Sequence, residues 1–236
     1  MSPSKPSARN GAQGRAGARK PRRANGLVPR DEAARAALAE GKRDLAGAQL
    51  AGADLASMTL RGCNLRGADL TGCDLSAATL IACDLRGARL REARLAGARV
   101  LLCDLREVDL EGARLEGATL LACAASEGQL RRAELKGGRL AVVSLDRAEL
   151  GSAVLAEARV VLCSLAGARL AGARAEGARF VLSRLSGADF RRARLHRARF
   201  VLSALRGALF DRAAGLSPES FQLSWQPEAG VAAGGP

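Results

Sequence analysis

The chain has very few of the residues from which active sites are usually built. Its 236 residues include no tyrosine, one histidine, His196, and one tryptophan, Trp225. The sequence contains no dinucleotide or phosphate-binding glycine loop, no HExxH zinc motif and no GxSxG nucleophile motif. His196 lies between arginines, where a surface position is the simpler interpretation. These absences argue against an enzyme, and the sequence predicts no cofactor and no metal site.

Long hydrophobic runs are also missing, and so is acidic charge near the N-terminus. No segment is long enough to span a bilayer, and no hydrophobic region of a secretory signal is present. We therefore expect a cytoplasmic protein. Residues 1–30 carry eight Lys or Arg and no acid, which accounts for +8 of the net charge of +13. Because they are also rich in Pro, Gly and Ser, they are predicted to form a disordered basic tail.

What the chain has in abundance is a five-residue period, unbroken from Leu45 to Phe210. Every fifth residue in this range, here called the centre of a unit, is Leu at 26 of 34 positions. The position two residues before the centre is mostly Ala or Cys, and neither position carries a charge. A period of five matches neither a helix nor a strand, so each unit is a short segment plus a corner. Such a repeat indicates a solenoid whose units bury their apolar residues by stacking.

The units Ala53-Asp54-Leu55 and Gly67-Ala68-Asp69-Leu70 resemble those of the pentapeptide-repeat family, whose motif is A(D/N)LxG. The resemblance covers about residues 41–212. It implies an all-β fold, a right-handed quadrilateral β-helix in which four units complete one coil and the centre and the small residue point inward. It also implies a non-enzymatic protein. A subset of the family binds DNA gyrase or related topoisomerases and protects them from inhibitors, so topoisomerase binding is one function that the resemblance suggests.

The cysteines and phenylalanines support a coil made of four units. Five of the six cysteines are separated by four units, or by a multiple of four units, in the inward register: Cys63, Cys83, Cys103, Cys123 and Cys163. They are predicted to be buried, reduced thiols that serve as small hydrophobic residues. Phe180 and Phe200 should stack on one side of the solenoid, and Phe190 and Phe210 on the opposite side.

Composition divides the chain into four parts. The basic tail of residues 1–30 is followed by residues 31–40, whose acidic first turn and good helix formers predict an N-terminal capping helix. Residues 41–212 form the β-helix. Residues 213–236 are predicted to contain a short C-terminal capping helix and a tail, because Ser217 is suited to the N-cap and Pro218 to the first helical position. Caps at both ends would protect the open sheet edges.

One side of the solenoid, whose centres are residues 60, 80, 100 and so on, differs from the other three. The two positions after its centre become aliphatic and the position before it becomes Arg, whereas the other sides have no Leu, Ile or Val at those two positions. Since this corner has no glycine after Gly62, we expect its turn not to need a positive φ. We call this side the Arg/aliphatic wall; its residues are Arg99, Leu101, Leu102, Leu121, Arg139, Val142, Arg159, Val161, Leu162, Arg179, Val181, Leu182, Arg199, Val201 and Leu202.

The functional prediction is based on the wall. Equivalent residues of successive coils stack on one another, and each such level of the wall is here called a rung. Together the rungs give an apolar stripe about 30 Å long and roughly 10 Å wide, whose area is close to that of the largest apolar patch on a typical protein. We therefore predict a non-enzymatic interaction scaffold that binds a protein partner, or a second copy of itself, through this wall. An open alternative is that the segment with Leu223, Trp225 and Val231, or the N-terminal tail, covers the wall within the same chain.

Two other functions remain as alternatives. Topoisomerase binding by duplex-DNA mimicry requires an acidic exterior, whereas this chain is basic with Arg where Asp or Asn is usual. Binding to a polyanion, either nucleic acid or an anionic membrane, would use the basic tail and the basic coil of residues 189–212, whose net charge is +5. The candidate residues for that contact are Arg191, Arg192, Arg194 and Arg197.

Overall fold

The computed structural model describes residues 43–224, and they form a four-sided solenoid. Parallel β-bridges join residues one coil apart on three sides, as in Asp44 with Asn64, Gln49 with Asp69, and Asp54 with Asp74. The fourth side forms longer strands that pair with the same offset of four units. All pairing is parallel, and the solenoid completes about eight turns. The predicted all-β, four-sided β-helix is confirmed.

The strands of the fourth side form one sheet in sequence order. They are β1 (Thr59–Arg61), β2 (Thr79–Ile81), β3 (Arg99–Leu101), β4 (Thr119–Leu121), β5 (Arg139–Ala141), β6 (Arg159–Val161), β7 (Arg179–Val181), β8 (Arg199–Val201) and β9 (Phe221–Gln222). This sheet is the Arg/aliphatic wall, extended at both ends. Within residues 43–224 the structure has one helical element, the 3₁₀ turn Pro218–Ser220.

The core is a column of side chains from the two inward registers. Leu105 and Leu110, from two adjacent sides, are 5% and 3% exposed, and the small residues between the centres are equally buried. The phenylalanine rings fill the C-terminal coils in two stacks. Phe180 and Phe200 are parallel with centroids 5.0 Å apart, and Phe190 and Phe210 are parallel at 5.2 Å. The predicted inward centres and the predicted aromatic pairs are confirmed.

Nearly every corner of the square turns through a residue with a left-handed backbone, two positions after the centre. On the wall, Leu102, Val142 and Leu182 have φ values of 55°, 56° and 50°. The expectation that this corner needs no positive φ is therefore wrong. The reason is that the square turn itself requires the left-handed conformation, whichever residue occupies it. For residues other than Gly, Asn and Asp that conformation costs roughly 1–2 kcal/mol, so aliphatic residues occupy these corners against local preference.

The C-terminal cap also differs from its prediction. Instead of a helix, Ser217 precedes a single 3₁₀ turn, Pro218–Ser220, and the chain then continues directly into β9. The ring of Phe221 stacks on Phe200 with centroids 5.4 Å apart, and β9 covers the last coil as a further strand. The predicted tail of residues 1–30, the predicted helix of residues 31–40 and the tail from Trp225 onward lie outside the described residues.

Candidate functional site

The strands of the wall place three columns of side chains at fixed positions. In β6, β7 and β8 the middle residue is buried, the preceding Arg is exposed, and the following Val is partly buried. Strand pairing aligns the arginines directly, with Arg139 beside Arg159, Arg159 beside Arg179, and Arg179 beside Arg199. Neighbouring rungs of a sheet are about 4.8 Å apart. Four arginines therefore form an uninterrupted column on this side.

The aliphatic residues after the strands form the exposed edge of the wall. Leu102 is 64% exposed, Leu162 55%, and Leu182 and Leu202 about half. Most residues one position earlier, such as Val161 and its paired neighbour on the next rung, are partly buried and join the edge to the core, whereas Leu121 is 42% exposed. The structure thus places all the predicted wall residues on one sheet face and the corner that follows it.

The wall has one rung more than the sequence predicted. Phe200 pairs with Phe221 and Val201 with Gln222, so the last offset is one residue longer than the offset between the other rungs. Leu223 then takes the corner position, with a φ of 51° and 83% of its surface exposed. The open alternative, in which the segment with Leu223 covers the wall, therefore does not hold for Leu223, which extends the wall. The signal was present in the sequence, because Phe-Gln-Leu-Ser at 221–224 matches the two Phe-Val-Leu-Ser runs that start at residues 180 and 200.

The arginines of the wall have no ionic partners in the part of the chain that the structure describes. Eleven arginines in residues 43–224 form ion pairs, such as Arg169 with Glu149 at 2.9 Å, and each of them lies on one of the other three sides. None of those pairs includes an arginine of the wall. The cause is in the sequence, since the registers of the wall from 59 to 202 contain no Asp or Glu.

The four arginines proposed for polyanion binding do not converge on one site. Arg191 is already paired with Asp189, through Nη2 at 2.8 Å. Arg192 lines a shallow cleft with Arg191, and Arg194 aligns with Arg174 on the adjacent side. Arg197 faces a different groove, next to the C-terminal end of the arginine column and beside His196. The structure therefore spreads this basic charge around the coil instead of concentrating it.

The sequence itself identifies the kind of protein. The family model for pentapeptide repeats matches eight copies, over residues 44–80, 83–120, 163–200 and 183–212. Those ranges cover more than half of the chain. The chain belongs to the pentapeptide-repeat family. No curated protein matches the chain in sequence.

Solved pentapeptide-repeat structures are similar to this chain. HetL from the cyanobacterium Nostoc sp. strain PCC 7120, involved in heterocyst differentiation regulation, is 29% identical, with 80% of this chain and 93% of HetL covered and a TM-score of 0.47. QnrB1, a plasmid-mediated fluoroquinolone resistance protein, is 21% identical, with 72% and 87% covered and a TM-score of 0.45. A pentapeptide-repeat protein of the Arabidopsis thaliana thylakoid lumen is 29% identical, with 56% and 70% covered and a TM-score of 0.18.

Behind the wall, this pentapeptide-repeat chain uses thiols and hydroxyls to complete its backbone hydrogen bonding. At an ordinary corner the N–H two residues before the centre donates to the preceding centre, as Ala168 does to the carbonyl of Leu165 at 3.1 Å. At the corner of the wall, the N–H of Cys163 donates instead to Ser183 Oγ at 3.2 Å. Ser183 Oγ in turn donates to the carbonyl of Val181 at 2.9 Å. The Cys and Ser residues of this ladder are thus polar links, a role that the interpretation of the cysteines as small hydrophobic residues had missed.

The cysteines themselves are free and buried, as predicted. Desolvation raises the pKa of Cys73 to about 12 and also raises the pKa values of Cys123 and Cys163. These three thiols stay protonated near neutral pH and, because they are buried, they are not accessible as nucleophiles. Between residues 43 and 224, no group of His, Cys, Asp or Glu is arranged to hold a metal ion. Over the same residues, no helix is long and apolar enough to cross a membrane.

Proposed function

We propose that this protein is a non-enzymatic interaction scaffold that binds a protein partner, or a second copy of itself, through the Arg/aliphatic wall. One observation carries the proposal: half-exposed Leu and Val occupy strained corner positions on a single side of the square. Leu162, with a φ of 55°, is one example. The equivalent corners of the other sides carry Gly, Ala, Ser, Glu or Arg in the same backbone conformation. Strained and exposed apolar residues confined to one face favour a role in contact over a role in folding.

The size of the wall fits a moderate interface. A stripe of roughly 300 Å² per partner, at about 25 cal/mol per Å², yields several kcal/mol before the costs of association are subtracted. Arg and aliphatic residues are also common at protein interfaces. The contact would therefore be specific but reversible, as is usual for a scaffold that assembles with a partner.

The test is a quadruple variant, Leu102→Ser, Leu162→Ser, Leu182→Ser and Leu202→Ser. All four side chains point outward, so the solenoid should remain folded by circular dichroism. We expect the variant to lose self-association in light scattering, or to lose the partner that the parent captures from a native lysate. The matched control changes four corner residues of the other sides and leaves the net charge unchanged: Glu92→Ser, Glu127→Ser, Arg132→Ser and Arg147→Ser.

The control should associate as the parent does. If the Leu variant also associates as the parent does, the wall is not the contact surface and the proposal fails.

Topoisomerase binding is an alternative that rests on the family resemblance alone. Residues 43–224 contain 27 Lys or Arg and 20 Asp or Glu, so their charge is opposite in sign to that of duplex DNA. A topoisomerase partner would therefore have to be bound in some way other than mimicry of DNA. Polyanion binding through residues 1–30 is a further alternative, and its test is a deletion described below.

A further inference from the structure

The arginine column of the wall is an unbalanced charge within a contact surface. Arg139, Arg159, Arg179 and Arg199 are directly paired neighbours about one strand spacing apart, and like charges on adjacent strands repel. We infer that the partner of the wall is an acidic amphipathic α-helix, whose apolar stripe covers the aliphatic edge while its carboxylates face the arginine column. This inference rests on the proposed function and specifies the chemistry of the partner.

The chain's own termini lack the charge to fulfil this role. Residues 1–30 contain no acid, and residues 225–236 contain only Glu228. Residues 31–42 contain three acids but also Arg35 and Lys42. The net charge of that segment is therefore only −1. As a helix it would span about 18 Å, less than the distance of about 25 Å from the first coil to the Arg159 rung at the strand spacing. Residues 1–42 and 225–236 therefore lack the carboxylates to balance the four arginines of the column. Among the described residues, Glu219 lines a groove with Arg179 and Arg199 but forms no ion pair with either.

A second copy of the chain does not supply the missing charge either. The wall has no Asp or Glu between residues 59 and 202, so two walls in contact bring no carboxylate to either column. An antiparallel pairing would place the two arginine columns opposite each other, and a parallel pairing would place each against aliphatic side chains. Burying arginines without partners is costly in both cases. An acidic partner removes this cost, which a copy of the chain cannot do.

The shape of the wall favours a helix over an extended strand. The wall is the face of a sheet, so its backbone groups are already paired and a strand cannot be added to it. An α-helix advances about 5.4 Å per turn, close to the spacing of about 4.8 Å between rungs. From Leu101 to Gln222 there are six rung intervals, about 29 Å at that spacing, which matches a helix of roughly 19 residues. Leucines at positions i, i+3, i+4 and i+7 would then follow the aliphatic edge.

The test uses three synthetic helical peptides of equal length, matched to the length of the wall and carrying an identical leucine stripe. The flank beside the stripe carries Glu in the first peptide, Gln in the second and Lys in the third. Binding to the full-length protein is measured by fluorescence anisotropy at low and moderate salt. We expect the Glu peptide to bind at least about tenfold more tightly than the Gln peptide at low salt, with the advantage shrinking as salt rises. The Lys peptide should not bind.

Two protein variants with the same net charge locate the effect. Arg159→Gln with Arg179→Gln, on the wall, should remove the preference for Glu over Gln. Arg147→Gln with Arg169→Gln, on two of the other sides, should keep it. If the Glu and Gln peptides bind equally, or if both variants lose the preference to the same extent, the inference is overturned.

Failure of the inference is distinguishable from failure of the proposed function. In one outcome, the Glu and Gln peptides bind the parent equally and no peptide binds the quadruple Leu→Ser variant. The wall is then a contact surface, but the inference of an acidic partner is wrong. If no peptide binds and the parent forms dimers that the quadruple variant loses, the partner is a second copy and the inference is again overturned. If no peptide binds and the quadruple variant associates as the parent does, both fail.

Discussion

Single residues at the corners of the wall combine two unfavourable properties. Leu162 is more than half exposed and has a left-handed backbone, a conformation that Gly and Asn adopt more readily. Its backbone N–H still donates to the carbonyl of Val181 at 3.0 Å, so the backbone hydrogen bonds between neighbouring coils hold this conformation. Local preference is therefore overruled by the pairing of the coils, and the choice of Leu needs another reason. Contact with a partner supplies one.

Replacing this leucine should separate stability from association. Because Asn tolerates the left-handed region, Leu162→Asn should stabilise the protein by about 0.5–1 kcal/mol, as measured by denaturant unfolding, while weakening association. Ala156→Asn in the same coil is the control, since Ala156 is not among the left-handed residues, and it should bring no gain. A loss of stability in the Leu162 variant would show that the side chain serves the fold.

The ladder of thiols and hydroxyls behind the wall leads to a second prediction, which concerns stability. Cys163 Sγ accepts from the N–H of Val143 at 3.4 Å and donates to the carbonyl of Val161 at 3.3 Å. At Cys73, on another side, the backbone N–H donates to the carbonyl of Leu70, as at an ordinary corner. Cys163→Ala should therefore destabilise the protein by about 1 kcal/mol more than Cys73→Ala, because only the first change leaves a buried N–H without a partner. Equal unfolding midpoints for the two variants would contradict this role of the thiol.

At the scale of secondary-structure elements, the last strand decides how the solenoid ends. β9 repeats the pattern of β7 and β8, but its offset from β8 is one residue longer than four units and breaks the five-residue register. Ser224 continues the polar ladder, since its hydroxyl donates to the carbonyl of Phe200 at 2.6 Å and accepts from the N–H of Ser203. The element therefore closes the core, extends the wall and completes the hydrogen bonds of the final corner.

Removing the ring of β9 should weaken this end specifically. Phe221→Ala deletes a partly buried ring that stacks on Phe200 and should cost about 2 kcal/mol, less than truncation of a fully buried phenylalanine. It should also promote end-to-end association, because β9 would be held less firmly and would uncover the edge of β8 more often. Gln222→Ala, an exposed residue of the same strand, is the control and should change little. Unfolding and size-exclusion chromatography measure both effects, and equal stability of the two variants would contradict the capping role of β9.

Elements that repeat strictly could be predicted from the sequence, and those that depart from the repeat could not. The register alone placed Leu105 and Leu110 in the core and identified the wall. The one-residue insertion before Phe221 hid β9, because the Ser-Pro-Glu run in front of it has the composition of a helix start. The absence of glycine at the wall's corner was interpreted as an ordinary turn, since propensity does not report the geometry that a square coil imposes. The sequence shows that the registers of the wall contain no Asp or Glu. That no acid of an adjacent side pairs with the arginines of the wall required coordinates, because it depends on which side chains face each other.

At the scale of the whole molecule, positive charge is distributed unevenly between the basic tail and the solenoid. Deleting residues 1–30 removes eight Lys or Arg and no acid. We expect the thermal midpoint to stay nearly unchanged, while retention on a nucleic-acid column at low salt falls. The full-length chain at high salt is the control and should also elute early. A large drop in the thermal midpoint would show that these residues contribute to the fold.

According to the proposed function, the wall side of the square solenoid is the contact surface and the opposite side is not. Leu182 and Ser152 are suited to a comparison, because both are exposed corner residues with left-handed backbones, on the wall and on the opposite side respectively. A cysteine introduced at either corner is solvent-exposed, whereas the native thiols are buried. Thiol labelling of Leu182→Cys and Ser152→Cys variants therefore reports on each side separately.

The most direct measurement compares the labelling rates of these two variants before and after association, either with the acidic peptide or at high protein concentration. If the wall is the contact surface, the rate at Leu182→Cys falls at least about tenfold on association, since a covered thiol loses access to the reagent. The rate at Ser152→Cys stays the same. Equal slowing at both corners, or slowing at Ser152→Cys alone, would contradict the assignment of the contact to the Arg/aliphatic wall.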